Sequence, residues 1–221
     1  MKSAEDPGFY SSIAELGVIP VIAIDSSGPA LSLADALIDG GLPVAEITFR
    51  TAAAAEVISL LARERPQLLV GAGTVISLEN LRAAVCAGAR FCVAPGLNSR
   101  IVASAREEGI PFIPGVATPT EIEEALSLGC KLLKFFPAEV LGGMRALEAL
   151  QAPYEHVGVK FVPTGGINPA NLESYLRCRP VAAVGGTWIA KKEDIAAGNW
   201  TSIKERCQEA HAIVDKIRAK A

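Results

Sequence analysis

The sequence predicts a protein of the α/β class, a single (β/α)8 (TIM) barrel with an extra N-terminal helix. Eight short apolar runs, each bounded by turn residues, begin 20 to 28 residues apart, which is close to the length of one βα unit. Alanine-rich stretches with helical periodicity lie between the runs. Eight strands that alternate with helices favour a parallel barrel. The runs are Val18–Ile24, Pro43–Thr48, Leu68–Gly71, Ala89–Ala94, Pro111–Gly115, Lys131–Phe135, Val159–Pro163 and Val181–Gly185.

The competing architecture is an open, doubly wound sheet. Such a sheet normally has fewer strands and often carries a dinucleotide-binding glycine fingerprint at the start of its first helix. The segment Ile24–Gly28, which follows the first run, contains no such fingerprint. The barrel is therefore the better prediction.

The predicted helices begin and end at residues that suit those positions. The stretch Ser26–Asp39 ends at a glycine pair and Thr118–Leu128 ends at Gly129, as expected because glycine adopts the left-handed conformation without a Cβ clash. The second stretch begins Thr-Pro-Thr-Glu, which combines an N-cap, a proline in the first turn and an acid near the helix N-terminus. Ser77 and Asn168 are similar helix starts.

No linker or low-complexity tract divides the chain, so we expect residues 1–221 to form one domain. Residues from about 1 to 16 would form a helix that covers the lower end of the barrel, and residues from about 17 to 190 would form the barrel core. Residues from about 193 to 219 would form a C-terminal helix, because apolar residues recur there at helical spacing.

Composition argues against several classes of function. The net charge is -3 and no block of Lys or Arg occurs, so no nucleic-acid partner is expected. The first 16 residues contain no long apolar run, which predicts no membrane segment and a cytoplasmic protein. The five cysteines are scattered without a CxxC pair and are interpreted as reduced thiols. The chain has only two histidines, which are few for a zinc site or for a nucleophile activated by histidine.

The second strand carries polar residues on the face that should point into the barrel. Its alternation places Glu46, Thr48 and Arg50 on one face and the apolar residues Ala45 and Ile47 on the other. The apolar face must pack against helices, so the acid, the hydroxyl and the guanidinium would lie inside the barrel at its C-terminal end. A structural Glu46–Arg50 ion pair is the alternative interpretation.

The sixth strand adds a lysine to the same interior. Leu132, Lys134 and Phe136 share one face, whereas Lys131 begins the strand on the other face and reaches water. A lysine that merely pairs with an acid would explain Lys134 alone. Two inward charged residues, Lys134 and Glu46, on separate strands favour catalysis instead, with Lys134 as a candidate nucleophile.

Glycine pairs end the seventh and eighth strands. Thr164 precedes Gly165-Gly166, and Thr187 follows Gly186. Barrels commonly bind phosphate at these two loops through backbone N–H groups and a helix N-terminus, and glycine lets the backbone approach the anion. The alternative is that the glycines only permit tight turns.

Two further strand ends contribute weaker signals. Thr74 follows a Gly-Ala-Gly segment and could donate a hydrogen bond to a carboxylate, although it could equally be a turn residue. Pro95 follows the fourth strand and is expected to form part of the pocket wall.

Taken together, these segments resemble the 2-keto-3-deoxy-6-phosphogluconate (KDPG) / 4-hydroxy-2-oxoglutarate aldolase family, which are class I, Schiff-base aldolases. The resemblance extends from about Gly17 to Ala190. No single segment is specific to this family, but the combination of segments is. The segments are Glu46–Thr51, Gly71–Val75, Ala94–Leu97, Lys134–Glu139, Pro163–Ile167 and Gly185–Trp188.

The resemblance implies a role for each candidate residue. Lys134 would be the Schiff-base lysine and Glu46 the general acid and base, and the reaction would need no metal and no cofactor. The carboxylate of the substrate would be held by Arg50 and Thr74, and the family more often has serine where this chain has Thr187. The remaining residues would line the pocket (Pro95, Phe136, Thr164) or bind phosphate (Gly165, Gly166, Gly186, Thr187).

The implied reaction cleaves 2-dehydro-3-deoxy-6-phosphogluconate to pyruvate and glyceraldehyde 3-phosphate, and the family also implies a homotrimer. Cleavage of 4-hydroxy-2-oxoglutarate to pyruvate and glyoxylate, and action on the galactonate epimer, remain open alternatives. Outside the aldolases, a phosphate-binding barrel that is an isomerase, an epimerase or a non-catalytic sugar-phosphate binder would share the glycine loops. Such proteins have no need for an inward lysine paired with an acid.

Overall fold

A computed structural model of the chain describes residues 7–219. Helices and strands alternate along it. The strands are β1 Val18–Ile22, β2 Val44–Thr48, β3 Leu69–Gly73, β4 Cys92–Val93, β5 Phe112–Ile113, β6 Gly115–Val116, β7 Leu132–Phe135, β8 Lys160–Pro163 and β9 Val184–Gly186. The helices are α1 Pro7–Leu16, α2 Ala30–Asp39, α3 Ala54–Glu64, α4 Leu78–Cys86, α5 Ser99–Glu108, α6 Pro119–Ser127, α7 Gly143–Gln151, α8 Pro169–Leu176, α9 Lys192–Ala197 and α10 Trp200–Arg218, and a 3-10 helix spans Ala152–Val157.

Parallel pairing connects the strands in the order expected for a (β/α)8 barrel. One sheet has the order β5-β4-β3-β2-β1-β9 and the other the order β6-β7-β8. β5 and β6 flank Pro114 and together form the fifth barrel strand. Isolated parallel bridges join Phe161 to Val181 and Thr164 to Gly185, between β8 and the segment that contains β9. The predicted fold class is confirmed, including the helix that precedes β1.

Two elements differ from the prediction. The fifth strand is interrupted because Pro114 has no N–H to donate to a ladder. The region from about 193 to 219, expected as one helix, contains α9 and α10, which are separated at Gly198 with its φ of +69°. Residues 1–6 of the predicted N-terminal helix lie outside the described residues.

The structure confirms the helix caps that the sequence predicts at the starts of α6 and α8, which follow barrel strands. Thr118 forms a capping box with Glu121 at the start of α6, and Asn168 caps α8 by accepting a hydrogen bond from the Ala170 N–H at 2.9 Å. Each cap satisfies backbone donors that the first turn of a helix leaves unpaired. The loop between β8 and α8 is thereby fixed at its helical end.

The hydrophobic core has two layers. The larger layer lies between the strands and the surrounding helices, and the smaller fills the lower half of the barrel interior. Phe9 and Ile13 of α1 belong to the interior layer, where the Phe9 ring packs 5.4 Å from that of Phe91. Helix α1 therefore covers the N-terminal end of the barrel. Within residues 7–219, no helix combines the length and the apolar character that crossing a bilayer requires.

The position of α1 generates a stability prediction. Ile13 has no exposed surface, so Ile13→Ala would leave a cavity under the barrel and lower the free energy of unfolding by about 2–5 kcal/mol. Urea unfolding followed by circular dichroism measures the change. The matched control is Ser11→Ala on the exposed side of the same helix, for which a change within about 0.5 kcal/mol is expected. Equal unfolding midpoints for the two variants would contradict the role assigned to α1.

Candidate active site

Lys134 and Glu46 meet inside the barrel, near the C-terminal ends of β7 and β2. Lys134 Nζ lies 3.5 Å from Glu46 Oε1, and the two residues are only 6% and 3% exposed. Lys134 Nζ also lies 5.4 Å from the centre of the Phe136 ring. Burying either charged group without a partner is costly, so the two groups depend on each other. The inward positions predicted for Lys134 and Glu46 are confirmed.

Glycine in the neighbouring strand makes room for the Glu46 carboxylate. A Cβ atom at Gly73 would lie 2.7 Å from Glu46 Cγ and 2.9 Å from Cδ, which is closer than packed carbon atoms approach. A Cβ at Gly71 would instead overlap the Phe91 ring. The Gly-Ala-Gly sequence of β3 therefore accommodates an acid in the upper barrel and an aromatic ring in the lower barrel.

Arg50 is held at the end of β2 by a chain of hydrogen bonds. Thr48 Oγ1 donates to the Ile22 carbonyl at 2.9 Å and accepts from Arg50 Nε at 3.1 Å. Thr51 Oγ1 donates to the Ile24 carbonyl at 2.7 Å, which ties the same loop to the end of β1. Arg50 is exposed, and among residues 7–219 its terminal Nη groups donate to no protein acceptor. The guanidinium is thus oriented, and it retains donors for a carboxylate. The alternative Glu46–Arg50 ion pair is not formed, because Glu46 pairs with Lys134.

Thr74 follows β3, directly beside the end of β2. It is half-buried and has a φ of +57°, the left-handed region that residues other than glycine seldom occupy. The β2–β3 register places Thr48 opposite Gly73. Arg50 and Thr74 therefore leave neighbouring strands at the same end of the barrel.

The loop after β8 presents backbone donors at the C-terminal end of the barrel. Gly165 and Gly166 have φ values of +99° and +82°, and within residues 7–219 neither N–H group donates to a protein acceptor. The Gly166 carbonyl accepts from Asn168 Nδ2 and Asn171 Nδ2, both at 3.2 Å. Those side chains begin α8, whose N-terminus favours an anion. The loop has the donors that a phosphate group requires.

The end of β9 lies beside this loop. Thr164 is buried, donates from Oγ1 to the Val162 carbonyl at 3.3 Å, and is bridged to Gly185. A Cβ at Gly185 would overlap the Thr164 side chain. Thr187 follows Gly186 and is exposed. Both predicted phosphate loops therefore lie side by side at the same end of the barrel.

The structure brings the predicted residues together to different degrees. Lys134, Glu46 and Phe136 are in direct proximity. Arg50, Thr74, Thr164 and the loop glycines occupy neighbouring strand ends around them. Pro95, exposed after β4, lies against the fifth strand, since a Cβ at Gly115 would overlap its carbonyl group.

The sequence did not indicate two residues that lie next to the loop after β8. The buried Tyr175 hydroxyl donates a hydrogen bond to Glu139 Oε1, and the Glu139 side chain packs on Gly166. Glu139 is the last residue of the segment Lys134–Glu139, which contributes to the family resemblance, and this position indicates that it lies near the site. Tyr175 lies in an amphipathic helix and carries no sequence signal of its own.

Two cavities elsewhere in the molecule contain none of the predicted site residues. One of about 540 Å3 lies at the opposite end of the barrel, between α1, α10 and the start of β7 and β8. Another of about 560 Å3 lies between α2 and α10. Among residues 7–219, no three His, Cys, Asp or Glu side chains are grouped so that they could hold a metal ion.

Known proteins match this chain over most of its length. The family model for KDPG and KHG aldolase matches residues 10–206. The 2-dehydro-3-deoxy-phosphogluconate aldolase of Treponema pallidum is 44% identical over 93% of this chain and 97% of its own length, and the KHG/KDPG aldolase of Escherichia coli K12 is 40% identical over 87% and 90%. A KDPG aldolase of Legionella pneumophila, solved with pyruvate captured at low pH as a covalent carbinolamine intermediate, superposes with a TM-score of 0.87 at 42% identity and covers 91% of this chain and 97% of its own. The chain belongs to the KDPG and KHG aldolase family.

Proposed function

We propose that this chain is a class I aldolase that cleaves 2-dehydro-3-deoxy-6-phosphogluconate to pyruvate and glyceraldehyde 3-phosphate through a Schiff base on Lys134. The observation that carries the proposal is the buried Lys134–Glu46 pair at the C-terminal end of the barrel strands. The names of the relatives support the substrate. The pyruvate carbinolamine of the Legionella pneumophila enzyme supports the chemistry, because an amine and a ketone form a carbinolamine before they lose water to form a Schiff base.

Lys134 Nζ first passes a proton to the neighbouring Glu46 carboxylate, and the neutral amine then attacks the C2 ketone of the substrate. The hydroxyl of the resulting carbinolamine takes that proton from Glu46 and leaves as water, which gives an iminium ion and returns Glu46 to the carboxylate form. Glu46 takes the proton of the C4 hydroxyl, the C3–C4 bond breaks, and its electron pair moves into the iminium to form an enamine. Glyceraldehyde 3-phosphate leaves. Glu46 returns its proton to C3 of the enamine, and water then releases pyruvate from Lys134. The iminium accepts the electrons, which is the task that a Lewis-acid metal performs in other aldolases.

Substrate binding follows from the groups around this pair. The Nη groups of Arg50 and the Thr74 hydroxyl bind the carboxylate at C1, next to the ketone that Lys134 attacks. The phosphate at the other end of the substrate binds the N–H groups of Gly165 and Gly166, with Gly186 and Thr187 alongside. Phe136 and Pro95 form the apolar wall between the two anion sites.

The same catalytic pair supports a second substrate. We propose that 4-hydroxy-2-oxoglutarate is cleaved to pyruvate and glyoxylate, since it carries the same 2-keto-4-hydroxy acid unit, with a C5 carboxylate in place of the longer phosphorylated end. The relative in Escherichia coli K12 carries both activities in its name. The loops after β8 and β9 then distinguish the two substrates, because only one of them has a phosphate to bind.

Covalent trapping of pyruvate tests the role of Lys134. Borohydride reduction in the presence of pyruvate and EDTA should fix the pyruvyl adduct on Lys134, because reduction makes the Schiff base irreversible. Peptide mass mapping identifies the modified residue. Lys134→Met should abolish both trapping and turnover, whereas Lys131→Met is the matched control, since Lys131 is an exposed lysine of the same segment. An adduct on Lys131, or none at all, would refute the assignment.

Replacement of the acid separates bond cleavage from Schiff-base formation. Glu46→Gln removes the proton acceptor, so kcat should fall by about 10²–10⁴-fold, while borohydride still traps pyruvate on Lys134. Steady-state kinetics and trapping on the same preparation measure the two steps. The exposed Glu79 of α4 provides the control variant Glu79→Gln, with unchanged kcat expected. Wild-type turnover by Glu46→Gln would remove Glu46 from the mechanism.

We further propose that the protein is a homotrimer in the cytoplasm, as the family resemblance implies. Exposed apolar side chains, such as Val140 at 85% and Ile76 at 61% exposure, offer surface that an assembly would cover. Light scattering should give three times the chain mass of 23.1 kDa, and cell fractionation should recover the protein with the soluble fraction. A mass of one chain at all concentrations would exclude the trimer.

A further inference from the structure

Glu139 connects the loop that follows Lys134 to the loop that follows β8. Its backbone N–H donates to the Gly165 carbonyl at 3.1 Å, and the preceding Ala138 N–H donates to the Thr164 carbonyl at 2.8 Å. Its own carbonyl accepts from the Gly142 N–H at 3.2 Å. The Glu139 backbone is thus bound on both sides, which fixes where its side chain begins.

The Cβ and Cγ atoms of Glu139 pack against Gly166 in the loop after β8, Thr164–Gly166, which we call the phosphate loop. A Cβ atom at Gly166 would lie 2.5 Å from Glu139 Cγ and 2.6 Å from Glu139 Cβ, so the Gly166 α-carbon rests directly on this side chain. The Gly166 carbonyl is held on its other side by Asn168 and Asn171. A shift of Glu139 would therefore move the Gly166 peptide unit, whose N–H we assigned to phosphate.

Tyr175 holds the far end of the Glu139 side chain. The tyrosine is 1% exposed in α8, and its hydroxyl donates to Glu139 Oε1. Burial, together with the neighbouring Glu139 carboxylate, raises the pKa of the Tyr175 hydroxyl, so it stays protonated and remains a donor at neutral pH. The start of α7 encloses the contact, because a Cβ at Gly143 would lie 2.9 Å from Glu139 Oε1 and 3.3 Å from the Tyr175 hydroxyl.

We propose that Tyr175, acting through the Glu139 carboxylate, is a positioning residue that sets the phosphate loop Thr164–Gly166 for the phosphorylated substrate. The inference rests on the function proposed above. It adds a contact that affects binding of 2-dehydro-3-deoxy-6-phosphogluconate but not of 4-hydroxy-2-oxoglutarate. Neither residue touches the reacting atoms. The hydrogen bond fixes the Glu139 side chain, that side chain fixes the Gly166 peptide, and the peptide N–H groups then face the phosphate without further rearrangement.

Comparison of the two substrates tests this role. Tyr175→Phe keeps the buried ring and removes only the donor. We expect KM for 2-dehydro-3-deoxy-6-phosphogluconate to rise about ten-fold, in line with the loss of a hydrogen bond to a charged group. We expect kcat for that substrate, and both constants for 4-hydroxy-2-oxoglutarate, to remain at wild-type values. Inorganic phosphate, used as a competitive inhibitor of the phosphorylated substrate, should also bind more weakly.

Matched variants separate this effect from a general loss of structure. Tyr154→Phe removes the hydroxyl of a half-buried tyrosine, which donates to Glu123 Oε1 at 3.0 Å, and it should leave all constants unchanged. Glu139→Ala should reproduce the Tyr175→Phe pattern. Glu139→Gln retains an oxygen that accepts from Tyr175, so it should restore most of the affinity for the phosphorylated substrate.

The outcomes distinguish this inference from the proposed function. If both substrates lose activity equally in Tyr175→Phe, the pair supports Lys134 or the fold in general, and the positioning role is wrong. If neither substrate is affected and phosphate inhibits as in the wild type, the role is also wrong. If wild-type Lys134 forms no adduct with pyruvate, the proposed function fails. Calorimetric titration of wild type and Tyr175→Phe with inorganic phosphate then still decides the positioning role, with equal affinities overturning it.

Discussion

The contact between Lys134 and Glu46 is the interaction on which the upper half of the barrel depends. Two ionisable groups occupy a place where a barrel normally has apolar side chains, and each is tolerated because the other is within 3.5 Å. The surrounding sequence is adapted to this pair. Gly73 leaves space for the carboxylate, and Phe136 lies beside the amine. Loss of either partner would leave the other buried without compensation.

Around this pair, the ends of the strands are fixed by short-range constraints of different kinds. Side-chain hydrogen bonds from Thr48 and Thr51 tie β2 to β1, whereas the β8 loop depends on left-handed glycines and on the cap of α8. The end of the site proposed to bind the carboxylate is thus defined by side chains, and the end proposed to bind the phosphate is defined by backbone. Substitution of particular polar groups should affect the first end, and any shift of the main chain should affect the second.

Much of the fold and of the catalytic pair could be predicted from the sequence, because both depend on periodicity. Alternation along β2 and β7 is enough to direct Glu46 and Lys134 inward and Lys131 outward, and repeated βα lengths are enough to indicate the barrel. The split of the fifth strand at Pro114 and the break between α9 and α10 depend on single residues within otherwise regular patterns. The fit of Glu46 beside Gly73 and the contact of Tyr175 with Glu139 join residues 27 and 36 positions apart. Local patterns contain no information on such pairs, which exist only once the strands are in register.

The helix that precedes β1 has a consequence for the course of the proposed reaction. Because Phe9 and Ile13 fill the lower interior against Phe91, the N-terminal end of the barrel is closed and the C-terminal end is the one that substrate can enter. Substrate, both products and the hydrolytic water must all pass through the same opening above Lys134. A helix far from the chemistry thereby determines the end of the barrel from which the proposed site is reached.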